Sequence, residues 1–69
     1  MDLDVEIPEA RQDIRYLAAR FSELAATLAA AAQDPDPASA AKVLRGVTDR
    51  ANNSVHSLNA IAQFFEDLP

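Results

Sequence analysis

The feature that most constrains this chain is an apolar residue at every third or fourth position, held for four heptads, broken once, and then held again. In the first run Ile7, Ile14, Phe21 and Leu28 fill one heptad position, a, while Ala10, Leu17, Leu24 and Ala31 fill the other, d. In the second run the a positions are Leu44, Ala51, Leu58 and Phe65, and the d positions are Ala40, Val47, Ser54, Ile61 and Leu68. Spacing of this kind makes one apolar stripe per helix and is the pattern of coiled-coil-like packing. The break is QDPDPAS, at positions 33–39. Proline pushes the residue before it out of the α region. Asp36 is therefore a natural N-cap with Pro37 at the first helical position, and Asp34 with Pro35 is an alternative start one turn earlier.

This pattern predicts helix 1 over about 8–33 and helix 2 over about 37–67. Pro8 is read as a first-turn proline, with Glu9 favourable at the positive helix end and residues 1–6 frayed or extended. A link this short forces the helices to fold back antiparallel. At ~1.5 Å per residue the hairpin would be about 40 Å long. The expected fold class is all-α: one antiparallel two-helix hairpin occupying 1–69, with the core stripe of helix 2 centred on Leu44, Ala51, Leu58 and Phe65.

One hairpin has no enclosed core. Chains of 69 residues bury a small share of their surface and usually need a staple or self-association. No cysteine is present, so neither a disulfide nor a thiolate site is available. A single histidine and the lack of an E-x-x-H pair give no basis for a metal or other cofactor. The economical completion is a homodimer forming a four-helix bundle, and the competing one is a hairpin covered by a different protein.

A net charge of −5 disfavours nucleic acid and anionic membranes as partners. No run approaches the roughly 20 apolar residues of a spanning helix. The acidic start MDLDVEIPEA lacks the basic and apolar regions of a secretory leader. With the missing cysteines, this leads to the expectation of a cytoplasmic protein.

The middle of helix 2 reads DRANNSVHSLN. Asparagine and serine compete for backbone hydrogen bonds and are poor helix-interior residues. Helical phase places Asn52, His56 and Asn59 on one outward ridge, the expected surface for a protein partner. The plain alternative is a solvated face on which any polar residue is tolerated. A lateral stripe of Val43, Gly46, Arg50, Asn53, Ser57, Ala60 and Phe64 mixes small residues with one large aromatic. It is the expected inter-hairpin surface, with Val43, Gly46, Asn53, Ser57, Ala60 and Phe64 as its candidates. Ser54 is a polar notch in the seam, suited to fixing register. On helix 1, Tyr16 is the large group of the outer face and a further candidate for partner binding.

No catalytic arrangement emerges: the carboxylates Asp13, Glu23, Asp49, Glu66 and Asp67 are spread with no paired pocket. Arg50 and His56 form R-x5-H, which resembles the R-x4–6-H element of the HEPN ribonucleases, all-α dimers with an active site between subunits. The resemblance covers seven residues and implies an arginine stabilising phosphate charge and a histidine acting as general base. Two residues six apart on a helix point about 120° from each other, and the chain is shorter than that family's domain. The leading expectation is a non-enzymatic protein-interaction module: an adaptor, an antitoxin-like or immunity-like protein, or a bacterial or phage-encoded regulator. The alternative is an RNA-binding hairpin dimer, resembling Rop in architecture only.

Overall fold

The Asp2 side chain accepts a hydrogen bond from the Asp4 amide at 3.2 Å and caps a helix that begins at Leu3, not at Pro8. The structure, a computed structural model, describes residues 2–69. Helix α1 spans Leu3–Ala32 and helix α2 spans Pro37–Glu66. The expected frayed segment 1–6 is therefore corrected over 3–6, which is helical; Met1 lies outside the described residues. Pro8 sits inside α1 and leaves the Asp4 carbonyl without its usual amide partner. The turn before it forms because the Asp2 cap and the acidic Asp4 and Glu6 suit the positive helix end. The amides of Val5 and Glu6 both donate to the Asp2 carbonyl.

The turn is built from nested aspartates. Asp34 Oδ1 accepts from the Asp36 amide at 2.9 Å, and Asp36 Oδ1 accepts from the Ala38 amide at 3.2 Å. The second bond is the N-cap of α2, with Pro37 as its first residue. At the far end the Asp67 amide donates to the Gln63 carbonyl, and Gln63 Nε2 donates to Asp67 Oδ1 at 2.9 Å. The two helices pack along each other in a rod of 52 × 15 × 13 Å.

The seam runs along the d positions. Ala10, Leu17, Leu24 and Ala31 are buried on α1, as are Val47 and Ser54 on α2. Ala10 and Ile61 border one depression, and Leu17 and Ser54 border another. The same antiparallel register sets Leu24 level with Val47 and Ala31 level with Ala40. Within the hairpin the seam is therefore centred on the d positions, and the expected stripe centred on the a positions is corrected to that extent. Within the hairpin Ile14, Leu28, Leu44 and Leu58 remain 38–46% exposed, while Ile7, Phe21, Ala51 and Phe65 are half-buried. Small residues explain the rotation: Ala10, Ala31, Ala40 and Ser54 at d permit close approach of the helix axes. The bulkier a residues are displaced to the flank.

Candidate interaction surfaces

Rotating the seam onto d splits the rest of the hairpin into faces of different chemistry. In an antiparallel pair the a positions of both helices fall on the same side. The next line outward, one residue after each d, falls there too. That line reads Arg11, Ala18, Ala25 and Ala32 on α1, and Ala41, Thr48, Val55 and Ala62 on α2. Ala18, Ala25 and Ala62 are exposed, and Val55 is 45% exposed. The result is an apolar face along the rod; extended back to Leu3, the second line adds Asp4 one heptad before Arg11, and these two charged residues both lie near the start of α1.

The opposite side carries a shallow groove between the helices. At the open end Glu6, Glu9, Asp13, Ala60, Ile61 and Phe64 surround a depression. It continues past Tyr16 and Ser57 to Arg20 and Asn53. Toward the turn, Thr27 faces Lys42, Val43, Gly46 and Arg50. The lateral stripe from Val43 to Phe64 thus forms one wall of this groove. Exposed Tyr16 borders this groove and not the outer face of helix 1 expected from the sequence. The Arg20 guanidinium lies 6.0 Å from the centre of the Tyr16 ring, within cation–π range. The rings of Phe64, half-buried in the groove wall, and Phe65, on the apolar face, are 5.7 Å apart and tilted by 40°.

Asn52, His56 and Asn59 are exposed and lie by helical phase on the face of α2 directed away from α1. Arg50 lines the groove while His56 does not, so the two are not brought together. Ser57 turns its hydroxyl back to the Asn53 carbonyl at 3.4 Å, as Thr48 does to Leu44 at 3.0 Å. These bonds satisfy polar groups within the helix instead of presenting them outward. Sequence reasoning missed the acidic wall formed by Glu6, Glu9 and Asp13. Their signal is their own spacing, which keeps them on one side of α1 once that helix is extended back to Leu3.

The turn also perturbs the acidity of Asp34. The Asp36 amide, and then the Ser39 side chain, hold its carboxyl below the ordinary carboxylate value. Among the described residues no group of three or more His, Cys, Asp or Glu is placed to hold a metal ion, and no helix is long and apolar enough to cross a membrane. Comparison with family models, curated proteins and solved structures finds no match to this chain.

Proposed function

We propose that this protein is a non-enzymatic interaction module that works as a four-helix bundle, two hairpins joined through their apolar faces. One observation carries the reading: Ile14, Leu28, Leu44, Leu58 and Val55, large and apolar, are all left partly open on the same side. Contiguous apolar surface of this extent marks an interaction site. A second copy is the occupant that fits best. The face carries bulky a residues beside a line of alanines, so each copy offers both knobs and holes to the other. A two-fold axis then makes the contact self-complementary. A rod side 52 Å long and 15 Å wide offers on the order of 800 Å², the usual contribution of one partner to a stable interface. Of the acidic side chains that give the chain its charge of −5, Asp4 falls on this face by helical phase, one heptad from Arg11, and the other helical acids lie off it, so joining two copies presses few like charges together.

Sedimentation equilibrium at micromolar concentration tests the reading. A particle of twice the 7.4 kDa chain mass is expected. Leu58→Lys should yield monomer, while Ser57→Lys, on the groove side, should leave the dimer intact. A wild-type chain that stays a well-folded monomer would overturn the proposal. So would loss of the dimer on Ser57→Lys but not on Leu58→Lys.

A further inference from the structure

With the apolar face taken up by a second copy, the groove on the other side stays open, once per hairpin. Its charge is segregated along its length. The open end has carboxylates from Glu6, Glu9 and Asp13 and no basic side chain around the same depression. The middle and turn half present Arg20, Lys42 and Arg50. Of the acids in that half, Asp34 borders the turn depression and is engaged by the Asp36 amide, while Glu23, one heptad after Tyr16, is exposed and borders none of these depressions. Ala60 and Ile61 border the groove beside the carboxylates, and Tyr16 and Leu17 continue it toward the basic half. Glu6 to Arg20 is fourteen residues along α1, or about 21 Å at ~1.5 Å per residue. One oxygen of the Glu6 carboxylate is shielded from water and has no hydrogen-bond donor in the hairpin.

We propose that this groove docks an amphipathic helix of a partner protein. The helix has a basic end lying over Glu6, Glu9 and Asp13 and an acidic end lying over Arg20, Lys42 and Arg50. Its apolar stripe faces Tyr16, Ala60 and Ile61, in the helix-in-groove mode of recognition. The charge order selects the partner and its direction, since a reversed helix sets like charges against each other. This inference rests on the interaction-module reading; the groove itself is formed within one hairpin.

The probe is a fluorescent peptide of about 18 residues with a Leu/Ala stripe, lysines at one end and glutamates at the other. The control has the same composition with the charges evenly mixed. Anisotropy titrations should show the segregated peptide binding about tenfold tighter or better, with affinity falling steeply as salt rises. The variant Glu6→Gln, Glu9→Gln, Asp13→Asn should keep its helical circular dichroism and its dimer while losing that preference. Tyr16→Ala should weaken both peptides. Equal affinity for the two peptides, or unchanged binding by the triple variant, overturns the proposal. So does dissociation of the dimer in the triple variant, which would mean that a second copy occupies the groove. A wild-type monomer that still prefers the segregated peptide supports the groove and removes only the dimer reading.

Discussion

Leu17 and Ser54 border the same depression at the middle of the seam, 6% and 4% exposed, and Ser54 is more deeply buried than any of the apolar core residues. A leucine set against a hydroxyl is an asymmetric pair, and the two sides should respond to alanine in opposite directions. Leu17→Ala removes buried apolar volume and should destabilise by about 2–5 kcal/mol. Ser54→Ala removes a polar group from an apolar seam and improves helix propensity, so it should stabilise by roughly 0.5–1 kcal/mol. Urea melts of the two variants check this. A destabilising Ser54→Ala would assign its hydroxyl a specific role in setting register.

Gly46 lies in the groove wall inside α2, and a Cβ built there meets nothing within 4 Å. Gly46→Ala should therefore raise stability by about 0.5–1 kcal/mol through backbone entropy and helix propensity alone. If another helix packed closely at this stripe, the added methyl would instead weaken association. Thermal melts combined with sedimentation separate these outcomes, and an unchanged dimer is expected.

The outward ridge should be dispensable for folding. Asn52, His56 and Asn59 are exposed and are weaker helix formers than alanine, so the triple alanine variant should gain roughly 1 kcal/mol. It should keep its helicity and its dimer. In side-by-side pull-downs it should lose a partner that the wild type retains. Retention of every partner would make the ridge a solvated face with no binding role.

The Asp34 turn predicts a pH dependence. Its folded carboxyl has a lowered pKa because the Asp36 amide, then Ser39, favour the charged form. The resulting stabilisation is complete above the unfolded carboxylate value of about 3.9 and is lost as pH falls through the lower folded value. Wild type should melt higher than Asp34→Asn at neutral pH, and the gap should close in acid. A constant gap across a pH series of melts would mean that the charge does not contribute.

Two helices, the turn between them and their antiparallel return are legible in local chemistry. Asp36 and Pro37 mark the start of α2 by side-chain capping and a pre-set φ. The start of α1 is equally local, but the Asp2 cap and the acids Asp4 and Glu6 outweigh the proline that follows them. What local pattern does not determine is how far each helix is turned about its own axis. Phe21, Leu58 and their fellow a residues are at least as apolar as Leu17, Val47 and their d neighbours, so either line suits the middle of the stripe. The choice belongs to the pair. Along d a small residue stands in three of the four layers, Ala10 level with Ile61, Ser54 with Leu17 and Ala31 with Ala40, which lets the helix axes approach. Closer approach there leaves no room for both lines in the seam, so tertiary packing places the a residues on an open flank. It also turns the acids of α1 and the bases of α2 toward one groove.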